Sequence, residues 1–197
     1  MMRVIDSCAE CMPMAPQVIR PTNVSVLAVH RLSLSERGDG NPDPIPDNQL
    51  TGVELIRRFT DHDHGHLLGT GRREPYHLLL RTDGALEQML PLIVGGQHVV
   101  GYNWCSWAIA IAGRYHEREL PDSMWHALVE AVAVLNIVPR QVKGHSEIDP
   151  DKTPPCPGKY VNMDQLRVAA GRLMPPGCES WDIRTRLRYI ARAGFTL

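Results

Sequence analysis

Apolar residues cluster in short blocks along this chain rather than in one long repeat. Val24 to Val29 (VSVLAV) is a β-branched run that reads as a buried central strand, with His30 at its C-terminal end. Thr51 opens a 3.6-residue pattern through Val53, Leu55, Ile56 and Phe59, and Glu54 completes a capping box, so a helix is predicted there. Tyr76 to Thr82, then Asp83-Gly84, then Ala85 to Leu90 predicts a hairpin, because Asp-Gly supplies the positive φ of a tight turn. Trp107 to Ala112 (WAIAIA) reads as a second buried strand.

Pro121 to Asn136 reads as a helix, started by Pro121, Asp122 and Ser123 and followed by Pro139. Met163 to Leu173 reads as another, and Ser180 to Ala193 as a last one with Arg184, Arg188 and Arg192 among its polar positions. Residues 33–49 and 139–162 are rich in Pro, Gly, Asp and Ser and read as long loops, of the kind that carries function in compact domains. Strands mixed with helices predict an α/β fold: a mixed central sheet flanked by helices. The expected organisation is an irregular segment over 1–22, one domain over 23–174, and a C-terminal helical extension over 175–197.

Composition narrows the class. The 197 residues suit one well-buried domain. A net charge of −1 argues against nucleic acid as the partner, since such binders carry a basic excess. No apolar run reaches the length of a membrane span, and residues 1–16 contain no apolar signal core. The expectation is a monomer made in the bacterial cytoplasm that reaches its target without the general secretory route. Five cysteines, an odd number, argue against a disulfide framework and leave thiols available as ligands. Cys8-x-x-Cys11 has no partner pair at finger spacing and reads as structural.

A catalytic zinc site needs three protein ligands and one further position for water. His30 at a strand, Gly144-His145-Ser146, and Pro155-Cys156-Pro157-Gly158 offer two imidazoles and a thiolate, the donor types zinc accepts. Their spacing alone does not set them apart from structural histidines and cysteines. The order of the blocks does more. A strand ends in His30, Tyr76-His77 opens a strand with an Arg-x-Asp-Gly turn, and Gly101-Tyr102-Asn103 precedes an apolar strand ending in Gly113. Last comes Gly144-His145-Ser146-Glu147-Ile148-Asp149-Pro150, then Lys152 and Cys156-Pro157-Gly158. From about Val24 to Leu173 this resembles the N-acetylmuramoyl-L-alanine amidase and peptidoglycan-recognition-protein family, in particular its short phage-type lysozymes.

The resemblance implies a zinc cleft at one face of the sheet, with Zn2+ held by His30, His145 and Cys156. It implies that Tyr76 sits near the metal's water and that Lys152 belongs to the catalytic loop. The implied reaction is hydrolysis of the amide between N-acetylmuramic acid and L-alanine in peptidoglycan. Zinc suits that reaction because it acidifies water and polarises a carbonyl, and Lys152 and Tyr76 suit the oxyanion that follows.

Three departures qualify the match. His145 and Cys156 lie eleven residues apart with Pro154-Pro155 between them, which keeps Asp149 and Asp151 as alternative third ligands. Ala110 stands on the strand where some cytoplasmic members carry a glutamate, which points to the tyrosine–lysine version and to a lysin. The loop after His30 is acidic and proline-rich, a candidate wall of the substrate groove. Asn103 and Trp104 are candidate substrate-binding residues. His62, His64 and His66 read as exposed polar loop, His77 as structural, and the basic face of the last helix as solvated, packed through Trp181. Two rival functions remain: a catalytically silent muropeptide-binding module, and a zinc peptidase cutting the stem peptide.

Overall fold

The computed structural model describes residues 3–6, 8, 18–32, 76–113, 115, 118–138, 141–151 and 155–197. The helix expected from Thr51, the acidic proline-rich loop, the histidines at 62, 64 and 66, Cys11 and Lys152 lie outside the described residues.

Six strands form one sheet: β1 (Val4–Asp6), β2 (Val26–Leu32), β3 (Leu78–Leu80), β4 (Leu86–Gln88), β5 (Ser106–Ala112) and β6 (Val142–Gly144), in the order β1-β4-β3-β5-β2-β6. The pairs β3–β5, β5–β2, β2–β6 and β1–β4 are parallel, and β3–β4 is antiparallel. The sheet is therefore mixed, as the sequence predicts. Every residue of β5 is buried. That follows from its central place between two parallel neighbours, where both faces are covered and an unbroken apolar run is stable.

The hairpin forms, but its turn differs from the tight one expected. Arg81 N donates to Ala85 O at 2.9 Å and Gly84 N to Arg81 O at 3.0 Å. Three residues therefore make the loop, and Gly84 with φ 80° takes its left-handed position.

Alternation along the strands divides the sheet's two faces. Leu27, Val29, Leu78, Leu80, Leu86, Trp107, Ile109 and Ile111 join the main core with helix α1 (Asp122–Leu135). The opposite face carries Val26, Ala28 and His30 on β2, beside Ala108 and Ala110 on β5. Its side chains are smaller, and this is the face on which His30 lies.

Helix α2 (His145–Ile148) is a single turn leaving β6, α3 (Met163–Leu173) has the bounds read from the sequence, and α4 (Ile183–Arg192) is capped by Asp182, whose side chain accepts from Thr185 N at 2.7 Å. Both terminal segments pack onto the same domain. Val4–Asp6 is an edge strand rather than irregular chain, pairing with β4. The C-terminal segment is tied into the same core: Ile190 and Phe195 are buried in it. Gln88 exchanges two hydrogen bonds with the Thr196 backbone, 2.7 Å each, and Thr196 Oγ1 donates to Asp6 Oδ2 at 2.8 Å. Arg184, Arg188 and Arg192 are exposed, as expected for a solvated face. Trp181 meets Tyr189 edge to face, with ring centroids 5.6 Å apart, and the deeper anchors of the C-terminal segment are Ile190 in α4 and Phe195 beyond it.

Candidate metal centre

The strand β2 runs two residues past His30, to Leu32, so His30 lies inside it. Its partner β6 stops earlier, with Gly144 opposite Val29. Past that point the edge of β2 faces the 155–158 segment, and Arg31 N donates to Cys156 Sγ at 3.3 Å. A backbone N–H aimed at sulfur stabilises the thiolate a metal requires. His145 leaves the end of β6 as the first residue of α2.

The result is that His30, His145 and Cys156, all buried, bring their ligand atoms within 4.8 Å of one another. The His30 and His145 ring centroids are 4.5 Å apart. Two imidazoles and a thiolate at this separation form a donor set of the kind that holds zinc with a fourth position for water. Of the alternative ligands, Asp149 places Oδ2 4.0 Å from His145 Nε2, beyond hydrogen-bond reach, and neither it nor Asp151 joins the cluster. Among the described residues no disulfide joins Cys8, Cys105, Cys156 and Cys178. Burial pushes the Cys8 thiol up to about 12, so it is inert.

Local bonds hold the ligand loop. Ser146 N donates to Cys156 O at 2.9 Å, and Cys156 N to Ser146 Oγ at 2.7 Å, which ties the two ligand segments together. Glu147 accepts from Gly144 N at 2.7 Å and from Arg167, whose Nε also donates to Val142 O at 2.9 Å. Gly144 is required for close approach: a Cβ there would lie 2.9 Å from Pro157 Cδ and 3.4 Å from Cys156 O. We expect Gly144→Ala to push the cysteine segment away from His145, lowering zinc affinity and costing about 1–3 kcal/mol of stability. Chelator competition and urea unfolding check this; a variant equal to wild type in both would show that the segment yields without cost.

Tyr76 is buried, with its ring centroid 5.1 Å from that of His30. Tyr76 and His77 precede β3, so strand alternation does not set their directions. His77 donates through Nε2 to Val94 O at 2.8 Å and accepts at Nδ1 from Ala108 N at 3.1 Å. Both nitrogens serve backbone, a structural role. Burial lowers its pKa from 6.5 to about 4. The unfolded chain thus binds this proton more readily than the native one, and stability falls as pH drops from about 6.5 toward 4, by on the order of 3 kcal/mol. The His77 ring resonance is expected to stay unmoved down to pH 5; a titration midpoint near 6.5 would contradict this.

Ala110 lies directly across from His30 in the β2–β5 register and is fully buried. Asn103 Oδ1 accepts from His98 N and Val99 N, both at 2.9 Å, so its carbonyl organises the turn before β5. Trp104 is 55% exposed, with Nε1 donating to Gly101 O at 2.9 Å.

His98 was missed by sequence reasoning. It is buried with Nδ1 3.2 Å from His30 Nε2, and its Nε2 is 3.2 Å from Ser106 Oγ. Burial, with His77 and His145 nearby, holds it well below the ordinary imidazole range. The available signal was its place five residues before Asn103, in the same segment that resembled the family.

Fold and site together define an α/β protein with a His–His–Cys constellation suited to a metal over a mixed sheet. The profile of the N-acetylmuramoyl-L-alanine amidase family matches residues 37–159, more than half of the chain, and the chain belongs to that family. No curated protein matches its sequence. Among solved structures it is similar to the N-acetylmuramoyl-L-alanine amidase LysC from Clostridium intestinale, at 16% identity over 87% of this chain and 99% of that one, TM-score 0.60. It is also similar to the Ph2119 endolysin from the Thermus scotoductus bacteriophage Ph2119, at 22% identity over 85% and 99%, TM-score 0.62. A third is the Drosophila peptidoglycan recognition protein PGRP-LB, at 16% identity over 83% and 92%, TM-score 0.59. These likenesses establish the shared fold. Among the described residues no helix is long and apolar enough to cross a membrane.

Proposed function

We propose that this chain is a zinc-dependent amidase that hydrolyses the bond between N-acetylmuramic acid and L-alanine, acting as a phage-type lysin. The observation that carries the reading is the convergence of His30, His145 and Cys156 within 4.8 Å in a chain of this family. Those three side chains would hold the metal, which when bound supplies Lewis acidity to polarise a carbonyl and acidify water.

The chain's other residues do the rest. Tyr76, beside His30, hydrogen-bonds the oxygen of the tetrahedral intermediate or orients the attacking water. Lys152 balances the negative charge that develops on that oxygen. Tyr76 or Lys152 delivers a proton to the departing amine. Asn103 and Trp104 contribute to the groove that holds the muropeptide. Ala110 beside His30 leaves no carboxylate there to act as base, which favours the tyrosine–lysine version and the lysin role. The protein acts as a monomer.

The likeness to the ectodomain complex of peptidoglycan recognition proteins LCa and LCx, solved with bound tracheal cytotoxin, supports a second reading, a module that binds muropeptide without cutting it. Digestion of purified peptidoglycan with mass spectrometry of the products separates these. New L-alanine amino termini with intact glycan mean amidase; cuts within the stem mean peptidase. Retained binding with nothing released means recognition module.

A further inference from the structure

We infer that His98, backed by Ser106, is the positioning residue that fixes the tautomer of His30 and turns its Nδ1 to the metal. This rests on the metal reading above and adds to it which nitrogen binds and what selects it.

The direction of the hydrogen-bond chain is set at its far end. Ser106 Oγ donates to Tyr102 O at 2.6 Å, and a carbonyl oxygen only accepts. With its proton committed there, Ser106 Oγ accepts from His98 Nε2–H at 3.2 Å. With its N–H directed to Ser106 from Nε2, the His98 imidazole presents the lone pair of its other nitrogen, Nδ1. That lone pair faces His30 Nε2 at 3.2 Å, which must therefore bear the hydrogen. A neutral imidazole protonated at Nε2 has its lone pair on Nδ1, and only a lone pair binds metal. The chain Tyr102 O, Ser106, His98, His30 thus has one self-consistent direction.

Strand pairing and backbone hydrogen bonds hold the scaffold. Ser106 opens β5 opposite Val26 of β2, the strand that carries His30. Asn103 anchors the His98 backbone through its two bonds of 2.9 Å. Metal-bound histidines ordinarily donate their second N–H to an outer partner, whose loss costs ~10–100-fold in metal affinity. Here that partner is another imidazole.

Three variants test this: His98→Ala, His98→Asn and Ser106→Ala. Asparagine Oδ1 stands as many bonds from Cα as histidine Nδ1, so it can accept from His30, whereas alanine cannot. Zinc affinity is read by chelator competition, and the protonated nitrogen of His30 by 15N-resolved imidazole NMR of the zinc-loaded protein. Thermal unfolding of the metal-free variants reports the fold separately. We expect wild-type His30 protonated at Nε2, a ~10–100-fold loss of affinity in His98→Ala, recovery of most of it in His98→Asn, and a smaller loss in Ser106→Ala. His30 protonated at Nδ1, His98→Ala binding zinc as wild type does, or folded His98→Asn no better than His98→Ala would each overturn the assignment. Wild type that binds no zinc at these ligands would overturn the metal reading and this assignment together. Normal zinc binding with indifferent His98 variants removes the assignment alone.

Discussion

Cys156→Ala is expected to purify with far less than one zinc per chain and to release no peptide from cell wall. The thiolate is the strongest single donor in the cluster, and two imidazoles alone make an incomplete zinc site. The loss should exceed the ~10–100-fold that removal of an outer-shell partner costs. The fold should survive, because the Ser146–Cys156 bonds that close the ligand loop use backbone atoms of residue 156, which alanine keeps. Metal analysis of the purified variant beside wild type checks this. Full zinc occupancy would transfer the third ligand to Asp149 or Asp151, and Asp149 is already 4.0 Å from His145.

Lys152→Ala is expected to lower turnover by ~10²–10³, the usual cost of one oxyanion donor. The charge it is proposed to act on exists only in the transition state, so zinc content and muropeptide affinity should stay close to wild type. Tyr76→Phe removes a hydroxyl beside His30 and should also reduce turnover, with little change in stability because the buried ring is kept. Zinc content, affinity and peptide release are measured for each variant. Cell wall cut by Lys152→Ala as fast as by wild type would sink the proposed mechanism while leaving the family untouched. A wild type that binds muropeptide and releases nothing would instead favour the recognition module.

The central strands and the later helices were legible because their signals are local. An apolar run such as Trp107 to Ala112 marks a strand covered on both faces, and the pattern over Met163 to Leu173 repeats at the helical period. The mixed sheet followed from such blocks and the hairpin between them. The ligand set was legible only as an ordered pattern that resembles a family; two histidines and a cysteine spread from residue 30 to 156 have no local signature.

Tertiary structure decided what depends on contacts far apart in the chain. Val4–Asp6 becomes a strand because β4, some eighty residues later, offers a free edge to pair with. The C-terminal segment joins the core through Ile190 in the last helix, through Phe195 after it, and through Gln88 meeting Thr196. His98 could not be singled out by periodicity, since its role comes from meeting His30 across 68 residues and Ser106 on the neighbouring strand. Only the folded chain shows that the Asn103 oxygen is turned to two backbone amides, those of His98 and Val99. The sequence by itself determined the central strands and the later helices, because those follow from residue type and local spacing, and it marked the ligand set only through the order of blocks that resembles a family. Which side chains meet, and which nitrogen of His30 faces the site, only the folded chain decided, because hydrogen-bond direction is set by partners that sequence order does not place side by side.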